Sequence, residues 1–291
     1  MRHNHFLGIT ITMTTAILTS LAAAGSGVVS AKSPVGAKLI QWEGAQSFSP
    51  AFSPVMPRNG YAQCPQGVPR VQGTYGWPAV YQPASVCYTW GEKVELFNHT
   101  DLTGWTDSNG EEPKGWNVVD GLLCHDATGD NLFTEKEYES FILEFEFQVE
   151  TGKETNSGVK YKTWFGDNWW MGCEYQILDD NGNGDSGDLH LTASLYDVYP
   201  PAIKSGLLKY DDFNQGKIVV MGNYVEHWLN GTRTVAAVID SPDWLARVAK
   251  SKFKDEQNFG HIKSSRIFLQ HHSTPVRFRN ISITELKEMT Y

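Results

Sequence analysis

The run Phe141-Ile142-Leu143-Glu144-Phe145-Glu146-Phe147-Gln148-Val149 alternates apolar and polar residues with a period of two. In an extended chain successive side chains point to opposite faces, so Phe141, Leu143, Phe145, Phe147 and Val149 share one side and Glu144, Glu146 and Gln148 the other. Such a strand lies with one face on an apolar core and the other toward water. Similar short runs recur at 117–124, 158–163, 173–178, 191–196, 217–220, 224–229, 233–238, 265–271 and 276–285, separated by turns rich in Gly, Asp and Asn. The spacing predicts about ten strands without helical crossovers, and hence an all-β fold of two packed antiparallel sheets. Asn230-Gly231 between two of these runs is the sequence of a tight hairpin. Ser241-Pro242, a capping residue followed by Pro at the first helical position, predicts one short helix over 241–250.

Ahead of the strands the chain changes character. Residues 1–31 begin with Arg2, His3 and His5, continue through an apolar stretch at 6–29, and end at Val29-Ser30-Ala31, a small-residue site that a signal peptidase would accept. The stretch is diluted by Thr10, Thr12, Thr14, Thr15, Thr19 and Ser20, which makes it a poor permanent membrane span. The reading is an exported protein, periplasmic or secreted, with no stable span after cleavage. Residues 32–91 are rich in Pro, Gly, Ser and Gln and lack periodicity, so they read as an irregular extension ahead of a sandwich domain at 92–291. Tyr61, Tyr75, Trp77, Tyr81, Tyr88 and Trp90 are too many aromatics for a solvated tether.

The bulk numbers exclude some classes. Acidic residues outnumber basic ones 33 to 24, for a net charge of -9, so a nucleic-acid backbone is not the partner. The sequence has no nucleophile elbow, phosphate loop or dinucleotide fingerprint. Ten Trp, 12 Tyr and 14 Phe suit a sandwich core and also suit carbohydrate, whose C–H faces stack on aromatic rings. Of the four cysteines, Cys64 and Cys87 in the irregular segment are the favoured disulfide pair. Cys124 and Cys173 lie in strand-like runs and read either as a second bridge or as buried thiols.

A series of short motifs then appears in order: Leu96-Phe97-Asn98 with Leu102-Thr103-Gly104-Trp105, Asn156-Ser157-Gly158, Glu174-Tyr175-Gln176-Ile177-Leu178-Asp179, and His190-Leu191-Thr192-Ala193-Ser194-Leu195-Tyr196. Glu226-His227-Trp228-Leu229-Asn230-Gly231, Leu269-Gln270-His271-His272 and Phe278-Arg279-Asn280-Ile281 complete it. Together they resemble the 3-keto-disaccharide hydrolase domain family over roughly two thirds of the chain. The resemblance implies a concanavalin A-like jelly roll, similar to legume-lectin and glucanase sandwiches, with a concave sheet face turned to a carbohydrate substrate. It also implies cleavage of glycosides already oxidised to the 3-keto sugar. The sequence departs from the family at Lys162, where Arg is usual, and at Phe213-Asn214, where Trp-Asn is usual.

A 3-keto group acidifies the proton on C2, so the C1 aglycone can leave by elimination and water can then add. That chemistry needs a base near C2, a group that polarises the ketone, and an acid for the leaving group. Alternation puts Glu174, Gln176 and Leu178 on one strand face and Tyr175, Ile177 and Asp179 on the other. Glu174 or Glu146 is the candidate carboxylate base or metal ligand, with Glu174→Gln expected to abolish turnover without lowering the melting temperature. His190 and His272 are the other catalytic candidates, because neutral imidazole exchanges protons near neutral pH. Asn156, Lys162, Gln176, Tyr196, Gln270 and Arg279 are candidate substrate contacts, while His227 is expected to bond within its hairpin.

No cofactor is implied. Asp179-Asp180-Asn181-Gly182-Asn183-Gly184-Asp185 opens like a calcium loop, but the twelfth position is His190 rather than Glu, so a solvated acidic turn is the better reading. A divalent metal held by Asp179 and His190 is the one metal arrangement left open. The same residues also suit an alternative, a non-catalytic carbohydrate-binding sandwich.

Overall fold

A computed structural model describes residues 87–289 apart from 167 and 182–186, and leaves the side chains of Cys87 and Met289 undescribed. The expected signal at 1–31, most of the extension at 32–91, the proposed Cys64–Cys87 bridge and the calcium-like Gly182–Asp185 stretch therefore lie outside the described residues.

The described chain forms thirteen strands and one helix: β1 (Cys87–Glu95), β2 (Trp105–Thr106), β3 (Trp116–Val119), β4 (Leu122–His125), β5 (Leu132–Tyr138), β6 (Phe141–Gln148), β7 (Asn156–Gly166), β8 (Trp169–Leu178), β9 (Phe213–Met221), β10 (Tyr224–Leu229), β11 (Thr232–Val238), α1 (Pro242–Val248), β12 (Ser265–Leu269) and β13 (Val276–Met289). All the strand pairings in the two sheets are antiparallel. The larger sheet runs β11-β10-β9-β6-β13-β4-β3, with β1 also paired to β13, and the smaller runs β2-β5-β12-β7-β8. This is the two-sheet antiparallel sandwich that the alternation predicts.

The strand β6 behaves as its pattern dictates. Phe141, Leu143, Phe145 and Phe147 are buried in the core, whereas Glu144, Glu146 and Gln148 are only partly covered. Facing it from the smaller sheet are Val159 and Tyr161 of β7, Cys173, Tyr175 and Ile177 of β8, and Ile267 and Leu269 of β12. Edge-to-face ring contacts join the layers, Phe145 to Tyr175 at 5.2 Å and Phe141 to Tyr161 at 6.4 Å. Cys173 is one of the free thiols, and burial pushes it up to about 12. Cys124 is also free, which settles the pair as thiols rather than a second bridge.

Several local expectations change. The run 117–124 is a hairpin, β3 and β4, turning at Asp120 and Gly121, whose φ values of 51 and 75° are those of a tight primed turn. Asn230 and Gly231 make the expected hairpin in the same left-handed region, at φ 48 and 80°. The run 191–196 is not a strand. It follows a 3-10 turn at Asp188–His190 and winds through left-handed Ala193, while the Thr192 hydroxyl is held by Leu178 O and Asp180 Oδ1. The helix is present, with the Ser241 hydroxyl accepting the Trp244 amide. β1 begins at Cys87, ahead of the boundary placed at residue 92.

The His227 ring does not bond within its hairpin, although its carbonyl accepts the Thr234 hydroxyl there. Its Nδ1 lies 3.1 Å from Ser194 O and its Nε2 lies 2.9 Å from the Tyr161 hydroxyl on the opposite sheet. A carbonyl accepts only, so Nδ1 carries the proton and Nε2 accepts from the tyrosine: the ring is neutral and ties the two layers together. Burial lowers its pKa to about 3. Between pH 6.5 and 3 the unfolded chain therefore binds a proton that the folded chain refuses. Stability is complete above pH 6.5 and falls by about 1.4 kcal/mol per pH unit below it from this group alone. Urea unfolding from pH 8 to 4 is expected to show that slope in the wild type and a shallower one in His227→Gln; parallel slopes would remove His227 from the account.

Candidate functional site

The site residues follow from the parity of β7 and β8. Because Tyr161 and Tyr175 point into the core, Gly158, Lys160, Glu174 and Gln176 point to the outer face of the smaller sheet. The register pairs Gly158 with Gln176 and Lys160 with Glu174, and on the other side of β7 it pairs Lys160 with Phe268. Glu174 Oε2 lies 3.3 Å from Lys160 Nζ, and both side chains are about 95% buried or more. A carboxylate and an ammonium held out of water are retained where each compensates the other.

The carboxylate has room because residue 158 is glycine: a Cβ there would stand 2.5 Å from Glu174 Oε1. Gln176 Nε2 donates to Asn156 Oδ1 at 3.2 Å. The Gln176 Oε1 and Gln270 Oε1 oxygens are buried with no protein partner. The Gln270 backbone is pinned beside them, its amide donating to Gly158 O and its carbonyl accepting the Ser157 hydroxyl. Two unpaired amide oxygens beside a buried ion pair are an arrangement that a hydroxyl-bearing ligand completes.

One flank of this face is aromatic. Phe268 stacks near Phe133 at 4.6 Å, Phe133 near Trp170 at 4.9 Å, and the Arg266 guanidinium covers Phe133 and Trp170. The other flank is the segment 190–199, stapled to the free edge of β8 by Tyr196 N to Glu174 O and Ala193 N to Gln176 O. That attachment brings Tyr196 beside Glu174, and the Tyr196 hydroxyl is raised by burial, then by the charges of Glu174 and Asp197. His190 stacks on Tyr196 at 4.6 Å, and its Nε2 lies 3.2 Å from Asp197 Oδ1.

The second Asp197 oxygen accepts the backbone amide of Lys252 at 2.7 Å. Lys252 Nζ then sits 4.2 Å from the Tyr196 ring centre and 5.5 Å from that of Trp169, whose ring also lies 5.8 Å from Lys160 Nζ. Partial burial lowers the Lys252 ammonium, opposed by Glu174 and reinforced by Lys160. Lys160, Trp169, Asp197 and Lys252 are the members that sequence reasoning missed. Lys160 was readable from alternation with Gly158, but Lys252 arrives from a loop with no periodicity to announce it.

The structure thus gathers Glu174, Gln176, Asn156, Gln270, Tyr196 and His190. It separates the rest. Glu146 and Arg279 form an ion pair at 2.6 Å on the outer face of the larger sheet, with the guanidinium over Phe213, so Glu146 is not a base for this site. Lys162 occupies an irregularity between Tyr161 and Trp164 at φ 50°, which breaks the alternation. Its ammonium donates to Ile262 O at 3.1 Å and has Cys173 and Glu139 as charge neighbours rather than Glu174. His272 is exposed just beyond β12. His271 beside it lies 2.8 Å from His125 Nε2. Asp179 accepts the Asn181 amide and His190 faces Asp197; among the described residues no group of three His, Cys, Asp or Glu side chains could hold a metal ion. A hollow of about 330 Å³ lies elsewhere, between α1 and residues 253–261.

Comparison with known proteins identifies the family and the fold. A family model described as the 3-keto-alpha-glucoside-1,2-lyase-like domain matches residues 92–284. Among solved structures, a candidate glycosyl hydrolase from Parabacteroides distasonis is 28% identical, with a TM-score of 0.61 over 67% of this chain and 94% of that one. A second candidate glycosyl hydrolase from the same organism shares the fold at 24% identity, with a TM-score of 0.51 over 66% and 98% of the two chains. No curated protein matches the sequence.

The close fit at residue 158 is open to direct test. Gly158→Ala forces the Glu174 carboxylate from its place and is expected to cost about 1–3 kcal/mol through overpacking. A thermal melt measures it, and a variant that melts like the wild type would mean the carboxylate does not rest against β7.

Proposed function

The chain belongs to the 3-keto-alpha-glucoside-1,2-lyase-like domain family, and from that membership we propose that it is an exported enzyme cleaving 3-keto-glycosides or 3-keto-disaccharides. Its function is carbohydrate-related, as the family and its glycosyl-hydrolase-like structural relative indicate. The finer reading rests on one observation: Glu174 is buried against Lys160 on the same face as two unpartnered amide oxygens.

In this reading the sugar lies over β7, β8 and β12. Glu174 takes the C2 proton, which the neighbouring ketone makes acidic. Lys160, beside that carboxylate, carries positive charge where negative charge develops on the C3 oxygen as the enolate forms. Gln176 Oε1 and Gln270 Oε1 accept hydroxyl protons and fix the ring, since a carbonyl oxygen accepts but cannot donate. The Phe268, Phe133 and Trp170 rings flank the bound sugar. The C1–O bond then breaks, leaving a 1,2-unsaturated keto sugar that adds water or departs. Export belongs to the same proposal, supported by the apolar stretch at 6–29 and its small-residue end.

Incubation with a 3-keto-disaccharide is expected to release free sugar, and deuterium at C2 to slow the release; the unoxidised disaccharide is expected to remain intact. Binding of the oxidised sugar without any release would instead mark a carbohydrate-binding sandwich. Glu174→Gln is expected to lower kcat by about 100- to 10,000-fold. Contrary to the expectation from strand alternation, the melting temperature should also fall, because Lys160 is left buried without its partner, at a cost of about 3–5 kcal/mol. Lys160→Met combined with Glu174→Gln is expected to recover the melting temperature but not the activity.

A further inference from the structure

We propose that Lys252 is the proton donor to the departing C1 oxygen, an assignment that rests on the elimination reading of the same site. The reaction has two proton transfers of opposite sense. The base side is occupied: Glu174 Oε2 is paired with Lys160, and Oε1 rests against the β7 backbone at Gly158. A donor must come from a different element and must not be tied to an acceptor.

Among the described groups at the flank 190–199, the Tyr196 hydroxyl is made a weaker acid by burial and by the Glu174 and Asp197 charges, which leaves the Lys252 ammonium as the better donor. The His190 Nε2 is committed to Asp197 Oδ1. The Lys252 ammonium lies over ring faces, Tyr196 at 4.2 Å, Phe253 at 5.1 Å and Trp169 at 5.5 Å, with the Glu174 and Asp197 carboxylates within electrostatic reach. Its backbone is clamped by Asp197 Oδ2, so the side chain leaves the loop from a fixed point. Electrostatic coupling to Glu174, Lys160 and Asp197 puts it near both members of the buried pair, and partial burial makes it a stronger acid than a solvated lysine.

The step balances. Glu174 carboxylate removes the C2 proton, the C–H electron pair becomes the C1–C2 double bond by way of the enolate, and the C1–O bond breaks. The leaving oxygen takes a proton from the Lys252 ammonium. The enzyme is left with a protonated Glu174 and a neutral Lys252, and exchange with water restores both. A cation held over aromatic rings suits this role, because the rings favour the charged form before transfer while burial and the Lys160 charge outweigh Glu174 and Asp197 and ease release of the proton.

The test compares leaving groups. Methyl and 4-nitrophenyl 3-keto-α-glucosides differ in whether the departing oxygen needs a proton. Lys252→Met is expected to lower kcat on the methyl glycoside about 100-fold or more. The loss on the nitrophenyl glycoside is expected to be at least tenfold smaller, so dependence on leaving-group basicity steepens. Lys252→Arg keeps the charge but yields no proton near neutral pH, so it is expected to fail on the methyl glycoside as Lys252→Met does. Equal losses on both glycosides, or full activity of Lys252→Arg on the methyl glycoside, would overturn the assignment while leaving the elimination intact. Absence of release from either glycoside by the wild type would instead overturn the elimination reading and this assignment with it.

Discussion

The antiparallel pairing of β7 with β8 is the constraint on which the rest depends. Its register sets Tyr161 and Cys173 inward while Lys160 and Glu174 point outward as a pair, and a slip of one residue would exchange the two sets. The inward residues are fixed by hydrogen bonds as well as by packing, Tyr161 to His227 and Tyr175 to Trp228 O. Those bonds run to the opposite sheet, so the same contacts that join the layers hold the polar face in place.

What was legible in the sequence was whatever the two-residue period governs without interruption. Phe141 to Gln148 gave a core strand, and Glu174 with Gln176 gave a shared polar face. Parity fails where the backbone departs from regular extension. At the β7 irregularity Lys162 leaves the face that it would share with Gly158 and Lys160, so the family resemblance that singles out Lys162 points to a lysine turned away from Glu174. The run 191–196 has strand-like composition, yet its backbone groups bond to β8 at only a few points while Thr192 folds back to Leu178 and Asp180. In β5 the reverse holds: Glu135, Lys136 and Glu137 are consecutive and exposed, which hides a strand whose other end, Leu132 and Phe133, is fully buried.

The site also shows why isolated motifs mislead about convergence. Glu146 and Arg279 sit in strands as plausible as those of Glu174, but they belong to the larger sheet's outer face and satisfy each other there. Which of two wet faces carries the chemistry depends on sheet membership, a long-range property that no local spacing encodes. Lys252 is the opposite case. It is remote in sequence from every motif, and it reaches the site because one carboxylate, Asp197, holds both His190 and the Lys252 backbone.

The buried thiol of Cys173 has a use that follows from its place directly before Glu174 on β8. It lies on β8 next to Glu174, wholly enclosed and held in its unreactive protonated form by burial. Since only the thiolate attacks alkylating reagents, the pace at which Cys173 is modified in the native protein clocks the transient parting of the two layers. A ligand that braces the polar face should slow that clock, giving a readout of occupancy that requires no turnover at all.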